Sequence, residues 1–250
     1  MMELNDKERL RYSRHLLLKE VQEQGQLKLK NAHMAVVGCG GLGSPALFYL
    51  AASGIGTLTF IDDDEVELSN LQRQILYKVS HIGQRKSHAA SKVLASLNNS
   101  IELNPLCTKL TADNVVVLLK NADIVLDCSD NFETRYLLNS YCLKNKKVLI
   151  SGAAIATSGQ VMCFDFRENG PCYACVFPQS DEVESTNCDN FGVLSPLLGV
   201  IGAQQALLAI NTILGHHSGC YFASVDGMTL KQNVWQIVKD RQCMVCSAAC

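Results

Sequence analysis

The sequence has almost no net charge. Its 250 residues carry 22 Lys and Arg against 24 Asp and Glu, which gives a formal net charge of −2. This balance excludes a bulk basic surface of the kind that binds nucleic acid, although it leaves room for a local basic patch. With 48% hydrophobic and 18% charged residues, wholesale disorder is also excluded. We therefore expect a folded protein with a sizeable core and no nucleic-acid partner.

The N-terminus lacks the apolar core of a secretory signal, because charged residues alternate from Glu3 to Arg9. Only one long apolar run is present, from Val193 to Leu214, and it contains Pro196, Gln204, Gln205 and Asn211. Amides near the centre of an isolated membrane span are costly, which favours a core or dimer-interface helix. We expect a cytoplasmic protein without a membrane partner, in which the 12 cysteines are buried thiols, metal ligands or reactive groups.

Short apolar strands alternate with helices up to about residue 151. His33–Val37 predicts a strand, a glycine-rich turn leads into a helix over Ser44–Ser53, and Thr57–Ile61 predicts a second strand. This is a βαβ unit with parallel strands. The alternation continues with predicted helices at Lys86–Leu97, Asp113–Lys120 (capped by Asp113) and Phe132–Lys144, and with predicted strands at Ile101–Leu106, Asp123–Asp127 and Lys147–Ser151.

The pattern changes after Gly152. Gly159–Phe166 and Tyr221–Ile237 are typical of antiparallel strands, and a long helix beginning near Ser195 separates them. Before residue 30, leucines recurring among charged residues indicate one or two amphipathic helices. The predicted fold class is α/β, a Rossmann-like doubly wound sheet, parallel in its N-terminal half and continued by antiparallel strands. We predict a single domain over 1–250: a helical arm (1–30), a nucleotide-binding half (31–151) and an antiparallel half (152–250).

A glycine-rich turn and one acidic residue predict a nucleotide site. Gly38, Gly40 and Gly43 have the spacing Gly-x-Gly-x-x-Gly between a predicted strand and a helix, and Asp62 follows Gly43 by 19 residues. Such glycines permit a tight turn and close approach of the backbone to a phosphate or ribose, and an acid at the end of the second strand binds ribose hydroxyls. The motif predicts adenine-nucleotide binding but does not separate NAD from ATP.

Further polar groups favour a triphosphate over a dinucleotide. A triphosphate carries about four charges, so it requires several cations and a carboxylate that holds Mg²⁺. The candidates are Arg14, the amide and guanidinium groups of Asn70 and Arg73, Lys86 at a helix start, and Asp130 with Asn131 after a buried strand.

Taken together, these motifs resemble the MoeB/ThiF (HesA) family, the bacterial adenylyltransferases related to ubiquitin-activating enzymes. The resemblance runs from about Leu10 to Cys246. Its most specific segments are 11–14, 38–43, 68–74, 127–131 and 151–154, together with two Cys-x-x-Cys pairs.

The resemblance implies that the chain uses ATP and Mg²⁺ to adenylate the C-terminal Gly-Gly carboxylate of a ubiquitin-like sulfur-carrier protein. It implies that the glycine loop, Gly41 especially, and Asp62 hold the adenosine, and that Asp130 holds Mg²⁺. The groups implied to engage the phosphates are Asn70, Arg73 and Lys86. The nucleophile is a carboxylate that is already ionised at neutral pH, so no general base is needed.

Two kinds of partner also follow from the resemblance. Arg14 would reach into the site of a second subunit, which implies a homodimer. A separate sulfur donor, of the cysteine desulfurase or rhodanese type, would act after adenylation. The carrier could belong to the molybdopterin, thiamine or tRNA-thiolation branch, and the motifs slightly favour the molybdopterin branch. Two other functions stay open from the residues: an NAD-dependent oxidoreductase and a module that binds ATP without chemistry.

Two Cys-x-x-Cys pairs predict a structural zinc site. Each pair can bind one metal ion from a tight turn, and two pairs complete a tetrahedral thiolate site with no open position. The ligands would be Cys172, Cys175, Cys243 and Cys246. Because 68 residues separate Cys175 from Cys243, the zinc would clip the C-terminus to the body of the fold. A redox-active pair is the alternative.

Cys188 lies in a polar, acidic stretch that predicts an exposed loop. The resemblance implies that a cysteine here forms a covalent link to the carrier, or accepts sulfur, in some family members and is dispensable in others. Acidic neighbours raise a thiol pKa, which opposes strong nucleophilicity. A catalytic role for Cys188 is therefore left open, as is any role for Cys250.

Overall fold

The chain is described from a computed structural model, which covers residues 3–179 and 192–247. Within these ranges the backbone forms one eight-stranded sheet in the order β3-β2-β1-β4-β5-β6-β7-β8. The strands are β1 (His33–Val37), β2 (Thr57–Ile61), β3 (Glu102–Leu106), β4 (Ile124–Asp127), β5 (Val148–Ile155), β6 (Ser158–Asp165), β7 (Tyr221–Asp226) and β8 (Gln232–Gln236).

Helices cover both faces of the sheet. They are α1 (Asp6–Arg11), α2 (Ser13–Leu16), α3 (Gln22–Asn31), α4 (Gly43–Ser53), α5 (Lys86–Leu97), α6 (Val115–Leu119), α7 (Phe132–Lys144), α8 (Tyr173–Val176) and α9 (Ser195–Leu214). Alternate strand residues enter two cores, since successive side chains of a strand point to opposite faces. One core packs against α3, α4, α5 and α9, and the other against α6, α7, α8 and the C-terminal cysteines.

The strand order creates a crevice beside β1. This strand pairs in parallel with β2 on one side and β4 on the other, so the chain winds outward in both directions from it. Open α/β sheets bind ligands outside the carboxyl ends of the strands at such a reversal. The glycine turn after Val37 and the segment after Asp127 both lie there, because each follows directly on one of the two strands.

β5 joins the parallel and antiparallel parts of the sheet. It pairs in parallel with β4 through Ser151 and in antiparallel register with β6 over its whole length. The sequence prediction ended this strand at Ser151, but the strand continues through Gly152 to Ile155. A side chain at Gly152 would collide with the amide of Gln205 on α9, which donates hydrogen bonds to the carbonyls of Asp127 (2.8 Å) and Ile150 (3.1 Å). The predicted mixed α/β sheet is confirmed.

Two further local predictions were wrong. The helix after β3 begins at Val115, and its N-cap is Asn114 rather than Asp113. The Asn114 side chain instead fixes the preceding loop, accepting from the N–H of Thr111 (2.8 Å) and donating to the carbonyl of Lys109 (2.9 Å). The N-terminal arm contains three helices rather than one or two, because Tyr12 leaves the helical conformation between α1 and α2.

The long apolar run forms α9, which packs against α4, β5 and β6. Among the described residues it is the one helix long and apolar enough to cross a membrane by length and composition, and half of its apolar window is buried inside the fold. Its polar Gln205 is fully buried and hydrogen-bonded to the sheet. The observed packing is that of a core helix.

Candidate active site and metal centre

A cavity of about 710 Å³ opens at the carboxyl edge of the parallel strands. Its volume lies within the range of small-molecule sites. Nine residues that the sequence analysis selected line this cavity: Gly38, Gly40, Gly41, Asp62, Asn70, Arg73, Lys86, Asp130 and Asn131. Gly43 and Arg14 do not line it.

The glycines of the loop serve different purposes. Gly38 has φ +94°, which favours glycine, and a Cβ at Gly43 would lie 2.0 Å from the Gly38 carbonyl oxygen. A Cβ at Gly41 would meet Leu198 of α9 at 2.7 Å, whereas one at Gly40 would make only ordinary contact with Gln74. Gly38, Gly41 and Gly43 are therefore required by the packing of the turn, while Gly40 leaves room at the cavity.

Asp62 is built into the wall of the cavity by the glycine loop. Its carboxylate accepts hydrogen bonds from the backbone N–H groups of Cys39 (2.7 Å) and Asp64 (3.0 Å). Burial raises the pKa of Asp62, and the charge of Lys86 opposes this rise. A carboxylate has about four acceptor positions, so two remain for ligand hydroxyls.

Lys86 is a buried cation at the first turn of α5. The residue is 6% exposed, and its Nζ lies 2.7 Å from Oδ2 of Asp64, whose side chain is 67% exposed. An ion pair in which one partner is exposed to solvent contributes little to stability, so it opens at small cost. Lys86 can therefore turn from Asp64 to an anionic ligand without leaving a buried charge unpaired.

Tyr77 positions this part of the wall, and the sequence analysis missed it. Its hydroxyl lies 2.8 Å from the carbonyl oxygen of Cys39 and 3.3 Å from that of Lys86. The phenol thus joins the glycine loop to the start of α5. Burial raises the pKa of Tyr77, so the hydroxyl remains a donor. A tyrosine outside any glycine or charge motif carries no sequence signal for this role.

The segment between β2 and α5 contributes Asn70 and Arg73. Asn70 is buried and accepts from the backbone N–H of Glu67 (3.1 Å), while Arg73 donates to the carbonyl of Ser69 (3.0 Å). Gln74 is buried beside Gly40, and its Oε1 has no hydrogen-bond partner within the described ranges. An unpaired acceptor at a cavity wall fits a ligand that brings its own donor.

The loop that carries Asp130 is fixed from both sides. Asn131 caps α7 by accepting from the N–H of Thr134 (2.9 Å), and Arg135 donates to the carbonyl of Ser129 (2.9 Å). Ser129 also donates its hydroxyl to the buried carboxylate of Asp127 (2.6 Å). The loop therefore holds one acidic side chain at the cavity next to the guanidinium of Arg135, which the sequence analysis did not select.

This arrangement suits a polyanion that carries a divalent cation. Arg73, Lys86 and Arg135 bring positive charge to one cavity, and Asp130 supplies a carboxylate ligand of the kind that Mg²⁺ prefers. Asp62, in the wall of the same cavity, offers acceptors for hydroxyl groups. The cavity thus offers cations for an anionic ligand and a carboxylate for hydroxyl groups, the two kinds of group that an adenine nucleotide presents.

Arg14 is exposed and lies at the opposite end of the helices that begin at the cavity. Asn98, which follows α5, donates to the hydroxyl of Tyr12 (2.9 Å) and to the carbonyl of Ala51 near the end of α4 (2.8 Å). Since α4 and α5 contain 11 and 12 residues, this end lies about 16 Å or more from the cavity. A single chain does not bring Arg14 to its own site.

The four predicted zinc ligands form one cluster. The Sγ atoms of Cys172, Cys175, Cys243 and Cys246 all lie within 4.8 Å of one another. Three of the sulfur pairs are 3.4, 3.7 and 4.0 Å apart, close to the edge of about 3.8 Å of a tetrahedron with Zn–S bonds of about 2.3 Å. The cluster could therefore bind a metal ion, and its distances and donor type fit Zn²⁺.

The surroundings of the cluster act on its thiols. Burial raises the pKa of Cys172 to about 11, and the charge of the neighbouring Cys175 sulfur adds to this rise. Burial also acts on Cys243, but hydrogen bonds from the backbone N–H groups of Cys246 and Val245 outweigh it and lower the pKa of Cys243. Cys188 and Cys250 lie outside the described residues.

The chain is similar to known proteins over most of its length. The model of the ThiF family matches residues 12–247. The adenylyltransferase and sulfurtransferase MOCS3 of Culex quinquefasciatus is 48% identical over 214 residues, which cover 85% of this chain and 49% of that protein. The protein of the same name from Anopheles gambiae is 44% identical over 250 residues, covering 98% of this chain and 56% of that protein. The chain thus spans about half the length of these relatives.

Among solved structures, E. coli MccB has a similar fold. The TM-score is 0.83 at 24% sequence identity, and the match covers 97% of this chain and 74% of that one.

Proposed function

This chain belongs to the ThiF family, and we propose from that premise that it adenylates the C-terminal glycine carboxylate of a ubiquitin-like sulfur-carrier protein with ATP. The observation that carries this proposal is one cavity that combines a glycine loop, the acid Asp62, four cationic side chains and a further acid, Asp130, in the loop after β4. Two of the curated relatives are named adenylyltransferases, which supports the same activity.

The residues of the chain act by binding and orienting. Gly40 and the backbone of its loop lie against the nucleotide, and Asp62 accepts the ribose hydroxyls. Arg73 and Lys86 neutralise the phosphates with Asn70, while Asp130, supported by Asn131, holds Mg²⁺. When bound, Mg²⁺ would supply positive charge that offsets the charge of the phosphates.

The reaction brings two anions together, so charge neutralisation and positioning supply most of the catalysis. A carboxylate oxygen of the carrier forms a bond to the α-phosphorus, and the bond from that phosphorus to the bridging oxygen breaks. Pyrophosphate leaves with the electron pair, and the product is an acyl adenylate. No proton moves in this step, so the site needs no general base.

We propose that the active protein is a homodimer in which Arg14 acts on the neighbouring site. Arg14 is exposed and distant from its own cavity, which supports action across an interface. Exposed apolar side chains of the N-terminal arm, α4 and α9 are candidates for that interface: Leu10, Leu17, Leu18, Tyr49 and Leu207.

The carrier and the sulfur donor complete the proposal. We propose a carrier of the molybdopterin-synthase small-subunit type, with the thiamine type as the alternative, because residues 151–154 and 172–175 resemble the molybdopterin branch. Of the described residues that line the cavity, the one cysteine is Cys128, which is buried and whose pKa is raised by burial. Sulfur is therefore assigned to a separate donor of the cysteine desulfurase or rhodanese type, in a cytoplasmic setting that keeps thiols reduced.

The decisive experiment is exchange of radioactive pyrophosphate into ATP, with candidate carriers ending in Gly-Gly. We expect exchange that requires both the carrier and Mg²⁺, and loss of exchange with a carrier lacking the last glycine. ATP binding without exchange on any carrier would indicate a binding module, and preferential binding of NAD would indicate an oxidoreductase. Cys188→Ala should keep full exchange, because any thiol step follows adenylation.

A further inference from the structure

Asn139 is a buried polar residue that the cavity does not use. It lies in the middle of α7, is fully buried, and accepts a hydrogen bond at Oδ1 from the backbone N–H of Tyr173 (2.8 Å). Its amide nitrogen Nδ2 is buried and has no hydrogen-bond partner among the described residues. Unpaired buried donors are rare in folded proteins and call for an explanation.

The Asn139 amide, with its unpaired Nδ2, lies next to the four-cysteine cluster. Tyr173 follows Cys172 directly, so the bond to its N–H places the Asn139 amide beside the first cysteine of the cluster. A metal-bound cysteine is a thiolate, which accepts a stronger hydrogen bond than a thiol does.

A second residue of α7, Tyr136, contacts α8 through groups other than the sulfur atoms of the cluster. The hydroxyl of Tyr136 donates to the carbonyl of Phe177 (3.0 Å), and its ring packs against that of Tyr173 with centroids 5.5 Å apart. Tyr136 and Asn139 are three positions apart and therefore share one face of the helix. Tyr136 is thus a matched comparison for Asn139.

We propose that Asn139 donates a hydrogen bond from Nδ2 to the Cys172 thiolate when a metal ion occupies the four-cysteine cluster, and thereby fixes the cluster to α7. The orphaned donor then has its partner in the metal-loaded protein. Outer-shell donors of this kind orient metal ligands and slow their loss. Asn139 is a positioning residue, and its role depends on metal occupancy of the cluster rather than on adenylation.

The first test measures transfer of zinc from the loaded protein to a chelator. Asn139→Leu removes the donor at similar volume and should weaken zinc retention about 10- to 100-fold. Asn139→Asp keeps the acceptor for the N–H of Tyr173 but loses the donor. It should release zinc faster than the wild type, and it replaces Asn139→Leu as the test if the leucine variant does not fold. Tyr136→Phe should release zinc at nearly the wild-type rate.

A second measurement reports on the sulfur itself. In the cobalt-substituted protein, loss of a hydrogen bond to a thiolate makes the sulfur a better electron donor, so the sulfur-to-cobalt charge-transfer band of Asn139→Leu should move to longer wavelength. Tyr136→Phe should leave the band in place.

Several outcomes would overturn the proposal. Wild-type zinc release and an unshifted band in both Asn139 variants would show that no such hydrogen bond exists. Equal acceleration in Asn139→Leu and Tyr136→Phe would show that general packing of α7 on α8 holds the cluster. A wild-type chain that retains no metal would remove the premise, while pyrophosphate exchange could still proceed.

Discussion

Lys86 shows how one residue can serve both the apo and the nucleotide-bound protein. Its ammonium is buried, yet its partner Asp64 is largely exposed, so the pair can open at small cost. Lys86→Ala should lower carrier-dependent pyrophosphate exchange about 100-fold, because a charge-assisted contact to the transition state is lost. Lys92→Ala, on the exposed face of the same helix, is the control. Wild-type exchange in Lys86→Ala would exclude the residue from the site.

Asp62 makes nucleotide binding sensitive to acid. Its folded-state pKa is raised by burial, and only the ionised carboxylate accepts every hydrogen bond assigned to it. Affinity for an ATP analogue should be full above this raised pKa and decline as the pH falls through it. Asp62→Asn should bind about 10-fold more weakly at neutral pH, with little dependence on acid. Calorimetric titrations with the ATP analogue at about pH 4, 5, 6, 7 and 8 measure both trends.

The same residue gives an opposite trend for stability without nucleotide. A carboxyl whose folded pKa exceeds its unfolded pKa binds more protons in the native state, so its contribution to stability rises as the pH falls through the folded value. The difference in free energy of unfolding between wild type and Asp62→Asn should therefore move in favour of the wild type on acidification. A difference that is constant with pH would contradict the raised pKa.

Some of the site residues could be predicted from the sequence, and others could not. Asp62 follows a predicted strand, Arg73 lies in the motif after it, and Lys86 begins a predicted helix. Their convergence at one edge of the sheet could therefore be predicted. Tyr77 and Asn139 could not, because each acts through a backbone or sulfur partner that only the folded chain brings near.

The glycines of the loop between β1 and α4 have two different roles. Some are required for the chain to fold, and another leaves room for the nucleotide. A Cβ at Gly43 would overlap the carbonyl of Gly38, whereas one at Gly40 would touch only the end of Gln74. Gly43→Ala should therefore lower the melting temperature by several degrees, corresponding to about 1–3 kcal/mol of strain. Gly40→Ala should melt like the wild type and lose affinity for ATP. Equal melting of both variants would contradict this division.

Elements with strong local patterns had predictable bounds. Strands β1 and β2 and helices α5 and α7 have the residues that the sequence predicts. β5 does not, because the glycine that normally ends a strand is here required by the close approach of Gln205. The predicted start of the short helix α6 was also wrong. The helix begins at Val115, because the side chain of Asn114 is hydrogen-bonded to the preceding loop and Asp113 lies outside the helix.

At the scale of the whole molecule, the distance between Arg14 and its own cavity predicts complementation between subunits. Arg14→Ala and Asp130→Ala should each be inactive in pyrophosphate exchange. Mixed and allowed to exchange subunits, they should recover part of the activity, because a heterodimer contains one site with both residues intact. A mixture that forms heterodimers and stays inactive would contradict action across the interface. The resemblance found in the sequence implied that Arg14 reaches into the site of a second subunit, and its distance from its own cavity supports that expectation.

The four-cysteine cluster joins α8, which follows β6, to the segment after β8. Everything between these two attachment points, including α9, β7 and β8, therefore forms a loop whose ends meet at four sulfur atoms. With a metal ion in place, a single break in the backbone anywhere between Cys175 and Cys243 would leave the two fragments tethered to each other. A nicked chain would then be joined by the metal as well as by the packing of α9 and β7, so the pieces would part only after both chelation and unfolding.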